Sequence, residues 1–187
     1  MEPYEIMEKI CRGCKEIVEA LGLGEDEHTQ ETVERMANAL IELCHYHIFP
    51  KKPPELTTFI TEGYNEIIIC KDIPFFSICK HHLMVFSGVV HIAYLPKERI
   101  VGLSKLPRVV DYFSRRPQVQ ELLVQQIADF IFKNINPEGV MVIAEGEHQC
   151  CACRGIKSNH TFVTSAVRGC FEDKGIKNEA LKLIYGG

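Results

Sequence analysis

Met84-Val85-Phe86-Ser87-Gly88-Val89-Val90-His91-Ile92-Ala93-Tyr94-Leu95 alternates well enough to predict a β-strand that ends in a turn at Pro96. Upstream, Glu66 to Ile73 has the β-branched density of a second strand. Between the two lies Cys79-Lys80-His81-His82, answered much later in the chain by His148-Gln149-Cys150. Soft and borderline ligands at these spacings can build a zinc site. Cys79 and His82 flank a tight segment, so one ion can take a thiolate and an imidazole from it, with Cys150 arriving from a distant stretch as third ligand. Three ligands leave a position open for water, which separates a catalytic zinc from a closed structural one.

The surrounding chain predicts mixed helix and strand. Val140, Val142, Ala144, Gly146, His148 and Cys150 alternate along a strand, which places His148 and Cys150 on one face. Thr161 to Phe171 reads as a last strand, and a helix from Asp173 closes the chain. Ser104 is a natural N-cap for a helix through Val109, Val110 and Phe113, and Pro117 suits the first turn of the next. In that next helix Leu122, Leu123, Ile127, Phe130 and Ile131 follow the helical period, putting Glu121 opposite the core stripe, where solvent exposure is its plain reading.

Toward the N-terminus, Ile6, Ile10, Ile17 and Leu21 predict an amphipathic helix before Gly22-Leu23-Gly24. Cys11-Arg12-Gly13-Cys14 falls inside that helical pattern and reads as packing, not as a metal or redox pair. A second helix is expected from Thr29, whose hydroxyl can cap it, toward Phe49, with Pro50, Pro53 and Pro54 ending it. Two helices, strands, two helices, strands and a helix make an α+β pattern without internal repeat.

A chain of 187 residues with 46% apolar content fits a single domain, here with an N-terminal helical region over 1–50 and a larger region over 55–187. The first residues show no basic stretch followed by an apolar run, and no segment approaches membrane-spanning length, so a soluble, cytoplasmic protein without a membrane partner is expected. Nine cysteines without a secretory signal point to core packing or metal binding in a reducing compartment. The net charge of −4 argues against general nucleic-acid binding. Basic residues nevertheless crowd two stretches, Lys97 to Arg116 and Arg154 to Arg168, which suggests a local anion site.

Taken together, these motifs resemble the GTP cyclohydrolase I family. The matching text is Ser77-Ile78-Cys79-Lys80-His81-His82-Leu83, Val101-Gly102-Leu103-Ser104-Lys105-Leu106, Arg115-Arg116-Pro117-Gln118-Val119-Gln120-Glu121 and His148-Gln149-Cys150 leading into Arg154-Gly155. Glu31-Thr32-Val33-Glu34-Arg35 adds a weaker fifth block. The resemblance implies the tunnelling fold: an antiparallel sheet with paired helices on one face, preceded by N-terminal helices, its barrel completed by oligomerisation. It also implies a homo-oligomer, typically a decamer of two stacked pentamers, with active sites between subunits. The implied reaction opens the guanine of GTP at C8, releases formate, then rearranges the sugar and recloses the ring to 7,8-dihydroneopterin triphosphate, the first step of pterin and folate-type biosynthesis.

The same resemblance assigns roles. Zinc would be held by Cys79, His82 and Cys150, with His81 and His148 transferring protons. Glu121 would accept the two parallel donors of the guanine edge, with Gln120 beside it, and Ser104 would lie near the sugar. Lys105, Arg108 and Arg154, with Arg35 from a neighbour, would face the triphosphate. The chain departs from the family pattern at Lys80, where Glu is usual, and at Leu122, where Arg commonly follows the guanine-binding Glu. Cys150-Cys151-Ala152-Cys153 also keeps a rival open: a non-enzymatic module stabilised by a closed zinc site of Cys79, His82, Cys150 and Cys153. Other pterin or deazapurine enzymes of the same fold would be expected to use three histidines or no zinc.

Overall fold

A computed structural model describes residues 2–186, which divide into a unit ending at Lys51 and a unit starting at Lys52. In the first, helix α1 (Pro3–Ala20) opens with Pro3 in its first turn and a reciprocal capping box between Glu2 and Glu5. It buries Cys14 and Val18 and leaves Cys11 exposed, so the two cysteines of the first motif do not share an environment.

Helix α2 (Thr32–Leu43) begins later than Thr29, and a short α3 (His45–Ile48) follows a break at Cys44 in place of one continuous helix to Phe49. Thr29 does not cap α2. Its Oγ1 accepts from Gly24 N at 2.8 Å and donates to the Asp26 carboxylate at 2.9 Å, because the preceding loop offers nearer partners than the helix does.

In the second unit, two three-residue strands, β1 (Thr58–Ile60) and β4 (Arg99–Val101), pair antiparallel beside the main sheet. The main sheet contains β2 (Ile68–Cys79), β3 (Val85–Leu95), β5 (Pro117–Gln118), β6 (Gly139–His148) and β7 (Thr161–Gly169), in the order β5-β2-β3-β6-β7. Strand β2 runs well past Ile73, because a bulge between Cys70 and Ile73, with Asp72 at φ 59°, restores the pairing after the polar interruption.

The sheet is mixed, since β5 joins β2 in parallel at Ile78 and Cys79. Pro117 therefore sits in an edge strand, where its missing N–H is tolerated, and not in the first turn of α5 (Gln120–Ile135). Ser104 precedes α4 (Lys105–Ser114) but makes no side-chain cap, as its own backbone is already helical at φ −70°, ψ −10°.

Val140-Met141-Val142-Ile143-Ala144 is buried throughout because both faces of β6 are covered. Val140, Val142 and Ala144 join Val90, Ile92 and Tyr94 beneath Val109 and Val110 of α4 and Leu123, Ile127 and Ile131 of α5. Met141 and Ile143 turn the other way, with Ala93, onto Phe171 and onto Ala180 and Ile184 of α7 (Lys174–Tyr185). The helical pair thus covers one face as expected, and α7 covers part of the opposite face as well. Asp173 caps α7, its carboxylate accepting from Gly175 N at 2.8 Å and Ile176 N at 3.2 Å.

Strands β3 and β6 approach closely at Gly88, where an added Cβ would lie 1.8 Å from the Glu145 carbonyl oxygen. Among the described residues the outer side of β7 has no strand partner, and β5 covers β2 only at its end. Val163, 57% exposed, and Phe76, 53% exposed, lie on these two outer strands. Among the described residues, no helix is long and apolar enough to cross a membrane.

Candidate metal centre and active site

The end of β2, the starts of β3, α5 and β7 and the end of β6 meet at one end of the sheet, and the site forms there. Cys79 closes β2. Its N–H donates to Met84 O at 2.8 Å, and its carbonyl accepts from Leu83 N at 2.8 Å and His82 N at 3.3 Å. This tight turn, with Leu83 at φ 53°, presents His81 and His82 at the surface. Cys79 Sγ lies 3.8 Å from His82 Nδ1, 3.9 Å from His81 Nδ1 and 3.9 Å from Cys150 Sγ.

The ligand atoms of Cys79, His82 and Cys150 all fall within 4.8 Å of one another. Two sulfurs on a tetrahedral ion with bonds of about 2.3 Å would stand about 3.8 Å apart, close to the spacing found. Burial, with the adjacent Cys79 thiol, pushes the Cys150 thiol up to about 11. A divalent ion offsets this at Cys150 by favouring the thiolate. The donor set therefore fits a metal of the kind bound by sulfur and imidazole.

Cys150 is not on β6. The strand stops at His148, and Gln149–Ala152 forms a single helical turn, α6, which carries Cys150 toward Cys79. The alternation that placed His148 and Cys150 on one strand face thus ends before Cys150, although both side chains line the same pocket. The turn also leaves Cys153 exposed with its thiol donating to Gln149 O at 3.0 Å. Among the described residues the metal-type group contains three members, and Cys153 is not one of them, which removes the structural basis of the closed four-ligand reading.

The pocket, about 290 Å³, brings His81, His148, Gln120 and Glu121 beside the three ligands. Glu121 stands exposed in the first turn of α5. His148 faces Phe86 across the β3–β6 ladder, their rings stacked at 4.5 Å and 5°. Burial lowers the His148 pKa, Glu121 opposes that shift and His160 adds to it. Gln120 is buried, and its side chain bonds inward to His148 and to the sheet.

The remaining sequence candidates lie outside this pocket. Ser104 and Arg108 are exposed at the start of α4 with Lys105 half-buried between them, and Arg154 is exposed after α6. Arg35 belongs to the N-terminal unit, where it pairs with Glu31 at 2.6 Å. No Lys or Arg lines the pocket among the described residues.

Sequence reading missed Gln118, His160 and Phe162, which also line it. Gln118 donates to Phe113 O at 2.9 Å and to Gln126 Oε1 at 2.7 Å, bracing the entry to α5. His160 directly precedes β7, whose pairing of Thr161 with Glu147 brings it beside the end of β6. Only that register reveals it.

Comparison with known proteins gives consistent matches. The family model described as GTP cyclohydrolase I matches residues 10–185. The chain is 48% identical over 170 residues to GTP cyclohydrolase 1 of Aquifex aeolicus, covering 88% of this chain and 90% of that one. It is 46% identical over 182 residues to GTP cyclohydrolase 1 of Hydrogenobaculum, covering 95% and 97%. With GTP cyclohydrolase 1 of Caldanaerobacter subterraneus it shares 42% identity over 184 residues, covering 95% and 96%.

Proposed function

The chain belongs to the GTP cyclohydrolase I family, and from that premise we propose how its own residues divide the reaction. The substrate is GTP, which is opened at guanine C8 with release of formate; sugar rearrangement and ring closure then give 7,8-dihydroneopterin triphosphate. The observation that carries the assignment is the meeting of Cys79, His82 and Cys150 with His81, His148 and Glu121 in one pocket. A zinc ion held by Cys79, His82 and Cys150 would supply the acidity that makes water a nucleophile at neutral pH.

His81, beside Cys79 but outside the ligand group, protonates the imidazole nitrogen of guanine as the ring opens. His148, which lines the same pocket, moves the second proton. Glu121 accepts from guanine N1–H and the exocyclic amine, two parallel donors that match one carboxylate.

Ser104 contacts the sugar, and Lys105, Arg108, Arg154 and Arg35 neutralise the triphosphate. Arg35 comes from a neighbouring copy in a homo-oligomer, proposed as a decamer with active sites between subunits and strands that join into a barrel. Two features support assembly: β7 has an unpaired outer side, and the pocket of one chain contains no cation for a polyanionic substrate. The reaction is assigned to the tunnelling-fold region 55–187, with 1–50 as its helical extension, and the enzyme to the cytoplasm.

Zinc-loaded protein incubated with GTP is expected to yield formate and, after oxidation, fluorescent neopterin in equal amounts. Formate alone would mean ring opening without reclosure; neither product from an intact, zinc-bound oligomer would reject the assignment. Glu121→Ala is expected to weaken GTP binding by about 10- to 100-fold, as loss of a charged hydrogen-bond acceptor implies, and to erode discrimination against ATP. Unchanged nucleotide affinity would return Glu121 to an ordinary surface role.

A further inference from the structure

Gln120, the first residue of α5, is 1% exposed, and its carboxamide spans β6 and β7. Nε2 lies 3.0 Å from Ala144 O, 2.8 Å from Phe162 O and 3.2 Å from Thr164 Oγ1. Carbonyl oxygens only accept, so the amide atom that meets two of them is the NH2 group. The other atom is then the oxygen, which also only accepts. His148 Nε2 lies 2.9 Å from that oxygen and must carry hydrogen.

The imidazole has little freedom to reverse this arrangement. Phe86 lies flat against it at 4.5 Å, and Phe162 stands edge-on at 6.0 Å and 89°. Gly146 shows how tightly the amide is seated, since a Cβ there would come 2.5 Å from Gln120 Oε1. Among the described residues the Nδ1 atom of His148 has no hydrogen-bond partner, and the residue lines the pocket.

We propose that Gln120 is a positioning residue that fixes the tautomer of His148, keeping hydrogen on Nε2 and leaving Nδ1 as the bare nitrogen of a ring that lines the pocket. Gln120 thus acts through His148, while Glu121, its neighbour in sequence, faces the ligand directly. The catalytic consequence rests on the GTP cyclohydrolase assignment, whereas the placement of hydrogen does not.

The test uses the zinc-loaded oligomer with 15N-labelled histidine at neutral pH, taking the His148 signals as those lost in His148→Asn. The wild-type spectrum should show a protonated Nε2 and an unprotonated Nδ1. Gln120→Met, which removes the acceptor at similar size, should admit the opposite tautomer and lower kcat about 10-fold or more, with zinc content and the KM for GTP held within about three-fold.

A wild-type ring protonated on Nδ1 would overturn the proposal without requiring any variant to fold. Wild-type kcat in Gln120→Met would overturn it as well. If the expected spectrum came from a protein that releases no formate, the hydrogen-bond assignment would stand and the reaction assignment would fail.

Discussion

Cys150→Ser is expected to abolish stoichiometric zinc binding and to lower formate release from GTP by at least about three orders of magnitude. The size follows from what is lost. Without a metal, neutral water is a poor nucleophile, with a pKa of about 15.7 against about 7 on zinc, and guanine C8 is a poor electrophile. Serine cannot stand in for the thiolate because its hydroxyl remains protonated, and Cys79 with His82 would supply only two ligands.

The same reasoning sets a pH dependence. In the metal-free protein the Cys150 thiol titrates at about 11, so zinc must displace its proton at neutral pH. Apparent zinc affinity of the unaltered protein should therefore rise with pH below that value, whereas Cys150→Ser should retain no stoichiometric zinc across the same range. Metal analysis after dialysis against a graded chelator measures both. Retention of one zinc per chain by Cys150→Ser, with turnover near wild type, would remove Cys150 from the ligand set.

His81→Ala is expected to separate binding from chemistry. Its imidazole sits 3.9 Å from Cys79 Sγ but outside the three-ligand group, so zinc content should hold. The loss falls on protonation of the leaving ring nitrogen, where a placed general acid contributes about 10²- to 10⁴-fold. We expect kcat to drop within that range and the GTP dissociation constant to change little. Single-turnover formate release and equilibrium GTP binding divide the two effects. Near-normal release would assign the proton to another group.

The grouping of Cys79, His82 and Cys150 was legible because its chemistry is local: a cysteine and a histidine flank one tight turn, and a second cysteine follows a strong strand signal. Strand β6 was legible for a similar reason, since Val140, Val142, Ala144, Gly146 and His148 recur at every second position along it. Caps were less legible. Thr29 and Ser104 are good capping types, yet one bonds within its loop and the other enters the helix already turned.

Pro117 was read by its helix preference, whereas the edge of β2 decided its place. Strands of three residues, such as β1 and β4, are too short to show a period. The role of Gln120 was beyond sequence reading for a different reason. It depends on carbonyls from β6 and β7 that approach its side chain only after the sheet has formed.

Cys79 and Cys150 also stand 71 positions apart in the chain, and β3 lies between β2, which ends at Cys79, and β6, which leads into the turn that carries Cys150. A metal joining them would act as a reversible cross-link around a loop that contains both α4 and α5. By the chain-entropy relation, a permanent link over such a loop restricts the unfolded chain by about 4 kcal/mol. An ion bound here thereby couples retention of the fold to the free metal concentration, and the end of the sheet that performs the chemistry is the end left untied when that concentration falls.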